Sequence, residues 1–452
     1  MPIVTVPGVS GTTIDIFYSQ TASANAATSL LQTIYSAFGS NNLFVQNFAG
    51  ALTPTVPSGK IGEVVFTGAV NPGTVPGGYQ GIIDASSYQM TIQGAAGQTG
   101  ESVIGGPASF TYYMAAGESG TIVGGDGNNL ITGPTASGGN WFIDLEGLGT
   151  STVAAGSAND FIKTGGSGNL LFLDTGADTV YSGGADTIVA GTGNDTVNLT
   201  GSGAMVFGGT GNLLVQNTGG ADTVSAGSGA ETISAAASGG LYFLNNSSST
   251  LFVASGLTAS TIVGGSGPAT LFGGSGSNVM FQHSGSLVFD AQSSTSIVVS
   301  DPNSPSAQFF ASNGGQVWLY GSNNGNQFVA GSGNVTLQGA GASGNNLYFA
   351  GSGADSMVAG AGADTMVASS GSATMAGGAG ADQFDFNKGT TGGTDLIQNW
   401  DNADALNLFG YGNSPIVSQQ VVNGSVVLTL NDNTKITFQG ITSLNPNQIH
   451  IA

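Results

Sequence analysis

The sequence lacks several residue types that other classes of protein require. Its 452 residues include no cysteine, which excludes disulfide bonds and thiolate metal sites. There is no arginine, and the four lysines (Lys60, Lys163, Lys388 and Lys435) stand against 25 acidic residues, which gives a formal net charge of −21. Without a basic patch we expect no nucleic-acid binding, and the excess of acid favours cations as partners.

Long apolar segments are also absent. No run of 18 apolar residues occurs, so we expect no transmembrane helix and no membrane insertion. The N-terminal sequence MPIVTVPGVSGTTIDIFYS has neither a basic segment nor a long apolar one, so it does not look like an ordinary secretory signal. By themselves these two absences would be typical of a cytosolic protein.

The motifs of common enzyme classes are missing as well. The only histidines are His283 and His450, and the zinc-protease motif HExxH does not occur. No Gly-x-Ser-x-Gly segment stands between a predicted strand and a predicted helix, and no glycine-rich segment leads into Gly-Lys-Ser/Thr. We therefore expect no catalytic residues and no enzymatic activity.

Glycine, in contrast, is abundant, and in Ala350–Phe386 it recurs with a fixed period. The nine-residue unit is a small residue, Gly, any residue, Gly, Ala, Asp, any residue, an apolar residue and any residue. Asp355, Asp364 and Asp382 share one position of this unit, nine and then eighteen residues apart, and Ala373 occupies that position between the last two. A short fixed period of this kind predicts a solenoid.

Each part of the unit has a structural interpretation. The Gly-x-Gly segment predicts a tight turn at positive φ, which only glycine adopts at little cost. The apolar residue marks a short strand and points inward, and two units form a coil of about 18 residues that stacks roughly 4.8 Å from the next. The Asp then lies in the turn beside backbone carbonyls, and such oxygen ligands suit a hard cation such as calcium.

The same unit recurs earlier in the chain, and together the units resemble the repeats-in-toxin (RTX) nonapeptide, G-G-x-G-x-D-x-U-x. In that family the Asp carboxylates and turn carbonyls bind Ca²⁺ between neighbouring coils of a parallel β-roll. The resemblance implies metal ligands at the acid position of the units, namely Asp160, Asp178, Asp186, Asp195, Asp222, Glu231, Asp355, Asp364 and Asp382.

The resemblance also changes the expected location. Members of the family are exported by type I secretion, carry an uncleaved signal near the C-terminus, and fold outside the cell when they meet calcium. An extracellular protein at the bacterial cell surface is therefore implied, rather than a cytosolic one.

Other units keep the glycines but lose the acid. The residues that we assign to the acid position in these units are Asn129, Leu170, Leu213, Thr270, Asn278, Val335 and Asn346. We expect calcium to be concentrated in residues 160–231 and 355–382, and the β-roll to continue without full calcium sites through residues 240–350.

The predicted fold is all-β, a parallel β-roll with a small head and a C-terminal β cap. Residues 1–78 form the head, with one helix at Thr21–Phe38, and either anchor the protein in an assembly or cap the first coil. Residues 79–386 form the calcium-binding roll, and an insert near residues 290–320 is either a loop or an irregular coil.

Residues 387–452 resemble the terminal cap and type I secretion module of the family. Strands at Val421–Leu430 and Lys435–Phe438 are predicted to form a hairpin. The small core of this part would consist of Phe384, Phe386, Ile397, Trp400, Leu406 and Leu408. Asp395, Asp401 and Asp404 are either cation ligands or ordinary turn residues.

Two functions remain open at this point. The first is a self-assembling surface-layer or biofilm-matrix subunit, whose partners are copies of itself in a sheet or filament and, as a further candidate, a cell-surface polysaccharide. The second is an adhesin or binding module for a glycan, a cell surface or ice. The threonines that could form an ice-binding row are Thr179, Thr187, Thr196, Thr223 and Thr232.

Overall fold

The computed structural model describes residues 1–39, 42–48, 55–69, 73–147, 149–236, 239–255, 259–292, 295–301, 303–312, 316–320 and 323–452. The chain divides into two compact units, Met1–Thr232 and Ile233–Ala452, called unit 1 and unit 2 below. Among the described residues, no helix is both long enough and apolar enough to cross a lipid bilayer.

Unit 1 begins with an antiparallel ribbon and a helix. The strands Ile3–Pro7 and Thr13–Phe17 pair in antiparallel order, with a short 3₁₀ turn at Val9–Gly11 between them. The helix Thr21–Phe38 has the predicted bounds and ends at Gly39, where φ is +66°. Its buried side packs on strand residues that face out of the coils, and the resulting cluster includes Ala27, Leu31, Ile34, Val65, Ile83, Ile104 and Val123.

Two parallel sheets make up the rest of unit 1, and the chain alternates between them. The first sheet consists of Leu43–Phe48, Ile61–Phe66, Tyr79–Asp84, Glu101–Ile104, Gly120–Val123, Trp141–Leu145, Phe161–Thr164, Thr179–Ser182, Asp195–Leu199 and Leu213–Asn217. The second sheet consists of Gly73–Thr74, Met90–Gln93, Phe110–Tyr113, Leu130–Thr132, Thr152–Ala154, Leu170–Phe172, Thr187–Val189, Met205–Phe207 and Thr223–Ser225. The strand Ala230–Ala235 contains the boundary between the units.

The core of unit 1 lies between the two sheets, because alternate residues of a strand point to opposite faces. In the first sheet one register row points inward from coil to coil and is aliphatic: Val64, Ile82, Val103, Ile122, Ile143, Ile162, Val180, Val197 and Val215. All of these side chains are buried, so each coil adds one apolar layer to the same core.

Unit 2 has the same plan. Its first sheet consists of Ser249–Ala254, Ala269–Phe272, Leu287–Asp290, Ala307–Ala311, Gln327–Ala330, Leu347–Phe349, Thr365–Val367, Gln383–Asn387, Ala405–Phe409 and Ile449–Ile451. Its second sheet consists of Leu241–Phe243, Ser260–Val263, Asn278–Gln282, Thr295–Ser300, Gln316–Tyr320, Thr336–Gly341, Ala354–Val358, Ser372–Ala376 and Thr394–Gln398.

The C-terminal part of unit 2 ends in antiparallel strands. Lys435–Phe438 pairs in parallel with Thr394–Gln398 and in antiparallel order with Ser425–Leu430, which pairs with Ile416–Val422. A 3₁₀ turn at Pro446–Gln448 precedes the last strand. The predicted hairpin is therefore present, but its first strand begins at Ser425 and not at Val421, because Val421 and Val422 belong to the preceding strand and the chain turns at Asn423, where φ is +50°. The residues predicted to form the small core are all buried.

The all-β parallel β-roll is confirmed, while one detail of the predicted layout differs and one open alternative is decided. Parallel pairing already begins at Leu43–Phe48, inside the segment assigned to the head, since this strand pairs with Ile61–Phe66 and that strand with Tyr79–Asp84. The described part of the predicted insert forms paired strands such as Thr295–Ser300 and Gln316–Tyr320, so it is a coil of the solenoid. Residues 293–294, 302 and 313–315 of that insert lie outside the described residues.

Some turn glycines have the predicted positive φ, such as Gly168 and Gly333 at +88°, but others are needed for a different reason. Gly191 and Gly193 do not have a positive φ, so that expectation was wrong for them. A Cβ at Gly193 would instead overlap the carbonyl oxygen of Gly176 in the preceding coil, and a Cβ at Gly191 would overlap that of Asp174. Close stacking of successive turns, rather than backbone conformation, requires glycine at these positions.

Candidate metal-binding ladders

The acids predicted to bind metal lie at the starts of strands, and all of them are buried. They form rows, because successive units alternate between the two sheets. In unit 1 the first sheet carries Asp160, Asp178, Asp195 and Glu231, and the second sheet carries Asp186 and Asp222. In unit 2 the first sheet carries Asp364 and Asp382, and the second sheet carries Asp355.

The carboxylates of a row are hydrogen-bonded from coil to coil. Asp178 Oδ1 accepts a hydrogen bond from the backbone N–H of Asp160 at 2.6 Å, and Asp195 Oδ1 accepts one from the N–H of Asp178 at 3.0 Å. In unit 2, Asp382 Oδ1 accepts from the N–H of Asp364 at 2.8 Å. Each acid thus satisfies a backbone donor of the coil before it, and the row forms a ladder.

The other carboxylate oxygen distinguishes these acids from ordinary structural residues. Asp160 Oδ2 and Asp178 Oδ2 are buried and have no hydrogen-bond partner among the described residues. Burial raises the pKa of Asp160 to about 7, and burial together with the neighbouring acids raises the pKa of Asp178 to about 8. A buried carboxylate oxygen of this kind is costly unless a proton or a cation neutralises it.

Some acids of the ladders use the second oxygen within their own turn. Asp355 Oδ2 accepts from the N–H of Gly351 at 2.6 Å, and Asp195 Oδ2 accepts from the N–H of Gly191 at 3.2 Å. The acid and the first glycine of the unit are four residues apart in both cases, so the repeat spacing itself places the donor. This bond holds the carboxylate against the turn.

Backbone carbonyls supply the remaining oxygen atoms near the acids. The carbonyl oxygen of Gly176 lies against Gly193, and a Cβ at Gly176 would lie 3.1 Å from Asp178 Oδ1. Among the described residues, no three or more His, Cys, Asp or Glu side chains converge on one point, so additional ligands would be carbonyls. Because carboxylate and carbonyl oxygens are the ligands that Ca²⁺ prefers, the residues present fit this ion.

A second ladder, which the sequence analysis missed, runs along the residue just before the acid. Asn159 Oδ1 accepts from the N–H of Ala177 at 2.8 Å, and Asn345 Oδ1 accepts from the N–H of Ala363 at 2.9 Å. These bonds run in the opposite sense, because here the later coil donates to the earlier one. Neighbouring turns are therefore tied together in both directions.

The structure corrects two assignments in the units that lack an acid. Asn169, not Leu170, occupies the acid position, since its N–H donates to Asp186 Oδ1 at 3.0 Å and its own Oδ1 accepts from the N–H of Ser151. Ala269, not Thr270, occupies it in the later unit, because Leu271 is the residue that points inward. In both cases the nine-residue count was started one residue out of phase.

Two further acids extend the ladders into the C-terminal part. Asp404 Oδ1 accepts from the N–H of Asp382 at 3.0 Å, and Asp395 Oδ1 accepts from the N–H of Ala373 at 2.8 Å. Asp404 and Asp395 are buried, whereas Asp401 is exposed. Of the three acids left open between ligand and turn residue, Asp395 and Asp404 therefore occupy ladder positions.

A buried acid pair in unit 1 was also missed. Glu101 lies in the same register row of the first sheet as Asp160, three strands earlier. The hydroxyl of Tyr112 lies 3.0 Å from Glu101 Oε2 and also contacts Glu118. Burial, followed by the adjacent Glu118, raises the pKa of Glu101 to about 10. The available signal was an acid two residues before an apolar residue, as in the unit of Glu231.

The threonines considered for ice binding do not form one row. Thr179 and Thr196 are neighbours on the first sheet of unit 1, whereas Thr187 and Thr223 lie on the second sheet with Met205 between them. A continuous threonine surface is therefore not built from this set.

Comparison with known families agrees with this geometry. The model of the RTX calcium-binding nonapeptide repeat (4 copies) matches residues 147–180, 180–212, 218–237, 256–285 and 340–375. Among the acids predicted to bind metal, only Asp382 lies outside these segments. A comparison with curated proteins finds no match to the chain. The match, the β-roll and the buried acid ladders together show that this chain carries calcium-binding repeats of the RTX type.

Proposed function

We propose that this chain is a secreted, calcium-dependent structural protein that assembles with copies of itself outside the cell, as a subunit of a surface layer or biofilm matrix. The observation that carries the proposal is the ladder of buried carboxylates, because stacked buried acids are stable only where they are neutralised. Bound calcium supplies that neutralisation, so the free energy of ion binding becomes free energy of folding.

The location outside the cell is supported by this dependence on calcium. Calcium sites of extracellular modules typically bind with Kd of about 10⁻⁴–10⁻³ M, so folding can be coupled to arrival outside the cell. RTX repeats are typical of secreted proteins, and the ligand acids in this proposal are those of the predicted set, extended by Asp395 and Asp404.

A structural role is favoured over a catalytic one by the regularity of the coils. The carboxylates occupy a repeated position and bond to backbone donors of the neighbouring coil, as Asp178 and Asp382 do, rather than converging in a cleft. The partners are other copies of the chain, and a cell-surface polysaccharide remains the candidate anchoring ligand.

The test compares purified protein in calcium, in chelator and in magnesium. We expect circular dichroism to show a β-rich fold in millimolar calcium and a large loss of β signal in chelator. Magnesium should not replace calcium, since it demands a small octahedral site. Electron micrographs should show ordered sheets or filaments only in calcium. Identical spectra in all three conditions, or dispersed single particles in calcium, would contradict the proposal.

A further inference from the structure

The outer face of the second sheet in unit 2 carries two adjacent rows of apolar side chains. They lie on the five neighbouring strands from Leu241–Phe243 to Gln316–Tyr320. We call these two rows together the apolar platform. The first row consists of Leu241, Thr261, Val279, Ile297 and Trp318. The second row consists of Phe243, Val263, Phe281, Val299 and Tyr320. Nine of these ten residues are apolar or aromatic, and none of them is charged.

The apolar platform faces solvent rather than the core. Phe281 is 44% exposed, Tyr320 40%, Ile297 39% and Val299 38%, while the residues between them on the same strands, such as Val298, are buried. Alternation along the strands therefore places one apolar row inside and the two platform rows outside. Outward strand positions normally carry polar side chains, so this face is unusual.

The apolar platform has clear limits. In the next coils of the same sheet, Gln338 and then Val358 continue the row of Trp318. Beside them the polar residues Ser356 and Thr374 face outward, so the apolar surface ends here. On the first sheet of the same coils, the outer face is interrupted by Asp290, Gln308 and Gln327. The apolar platform is thus bounded on these two sides, although single apolar residues such as Met205 and Phe207 also face outward on the second sheet of unit 1.

Because this bounded face has a regular spacing and no charge, we propose that it is a self-association surface, on which the apolar platform of one copy packs face to face against that of a second copy. This inference rests on the proposed assembly and names the contact that produces it. Because none of the ten platform residues is charged, the contacting side chains add no like-charge repulsion, although the chain has a net charge of −21. Their rungs also share the same spacing, so the side chains of the two sheets can interdigitate about a two-fold axis.

The area is sufficient for such a contact. Since a fully exposed aromatic side chain presents about 150–250 Å², the partly exposed side chains of the platform offer on the order of 500 Å² per copy. A symmetric pair would then bury about 1,000 Å², the lower limit for a specific interface. One such contact is weak, but a repeating array multiplies it.

The first test is a charge placed on the apolar platform, with a matched control on the other sheet. Ile297→Lys and Leu251→Lys both change an aliphatic side chain that is 39% exposed on an outer face, the first on the platform and the second on the first sheet. Sedimentation of the full chain in millimolar calcium should show concentration-dependent association for the wild type and for Leu251→Lys. Ile297→Lys should weaken that association at least about tenfold, with circular dichroism unchanged.

The second test uses the absence of native cysteine. Phe281 lies on the middle strand of the platform, so Phe281→Cys places a thiol near the proposed two-fold axis, and mild oxidation should give a disulfide-linked dimer. Leu251→Cys should not give one under the same conditions. Dimers from both variants, or from neither, would overturn the inference.

The outcomes separate this inference from the proposed function. Ordered arrays that persist in Ile297→Lys would leave the proposed function intact and refute the platform as the contact. Dimers that are abolished by Ile297→Lys, without any ordered array, would support the platform and refute the sheet or filament. Binding of the platform to phosphatidylcholine vesicles in place of self-association would refute the inference as well.

Discussion

The two ends of unit 2 build the same coil by different chemistry. One register row of the first sheet changes its side chains along the chain: Ala269, Leu287 and Ala307, then Asn326 and Asn346, then Asp364, Asp382 and Asp404. The backbone pairing is parallel throughout. The backbone of the coil therefore does not require a carboxylate at this position.

The amides in the middle of the row show what replaces calcium. Asn346 Oδ1 accepts from the N–H of Asn326 at 3.0 Å, as an Asp would, and Asn346 Nδ2 donates to the carbonyl of Gly344 at 2.8 Å. The amide group thus satisfies a turn carbonyl that would otherwise face the second carboxylate oxygen. An Asn coil is complete without an ion, whereas an Asp coil is not.

The interior compensates in the same place. Where the acids are absent, the inward row of the first sheet is aromatic, and Phe309, Phe328 and Tyr348 stack with ring centroids 5.1 and 4.6 Å apart. Met366 and then Phe384 continue that row where the acids begin, so the stack of neighbouring rings ends there. We infer that the coils of unit 2 before Asp355 are stabilised by packing and amide hydrogen bonds without an ion, and that the later coils require calcium as well.

The largest expected effect concerns the aromatic stack. Phe328 is fully buried, so Phe328→Ala should lower the free energy of unfolding by about 3–5 kcal/mol. Because the acids take no part in this packing, the loss should be equal at low and high calcium in urea titrations. Leu251→Ala, on the outer face, should change it by less than about 1 kcal/mol. If the free energy lost in Phe328→Ala depended on calcium, the inference that these coils are stabilised without calcium would be wrong.

The next effect concerns a single rung of the acid ladder. Asp364 accepts from the backbone N–H of Asn346 at 2.6 Å, and Asp364→Ala leaves that buried donor unpaired at a cost of about 1–3 kcal/mol. The calcium concentration at the folding midpoint should rise as well. The side chain of Asp301 is exposed and, among the described residues, accepts a hydrogen bond only within its own turn, so Asp301→Ala is the matched control and should have little effect. Equal shifts for the two variants would show that the ladder is not the calcium-dependent element.

A more conservative substitution should affect the melting temperature differently in chelator and in calcium. Asp364→Asn keeps the acceptor for Asn346 and can donate to the turn, as Asn346 does. In chelator the variant should therefore melt at a higher temperature than the wild type. Added calcium should raise the melting temperature of the variant by less than it raises that of the wild type. A variant that melts below the wild type in both conditions would show that the amide does not replace the ion.

The sequence predicts the coil well because every unit repeats the same constraints. The glycines, the inward apolar residue and the acid each have one structural role, so the fold class and the buried acids could be predicted. The phase of a unit was harder, because the glycines do not mark its first residue reliably. Asp160, Asn169 and Asp178 are nine residues apart, but a count that starts at Gly165 places Leu170 at the acid position.

The outer surface could not be predicted in the same way. Residues such as Phe281 and Tyr320 occupy variable positions of the repeat, and they form a patch only once the register between strands is known. Glu101 was missed for a similar reason, since its contact with Glu118 depends on how the chain turns inward after Tyr112.

The last expected effect is a pH dependence at the buried pair Glu101 and Glu118. The pKa of Glu101 is raised to about 10 by burial and by Glu118, so the folded chain binds a proton that the unfolded chain has lost above about pH 4. Stability should therefore fall as the pH rises from about 4 towards 10. In calcium-saturated protein, Glu101→Gln should flatten this decline, so that its melting temperature exceeds that of the wild type most at pH 9. Parallel pH profiles for the two proteins would contradict the assignment.

The most direct test of the central claim is hydrogen exchange across unit 2 during a calcium titration. We expect the amides of residues 354–405 to gain about 100-fold protection from hydrogen exchange once the calcium concentration exceeds its Kd by about 100-fold. The described amides of residues 249–330 should be protected equally in chelator and in calcium. A uniform response along unit 2, or protection of residues 354–405 in chelator at neutral pH, would contradict it.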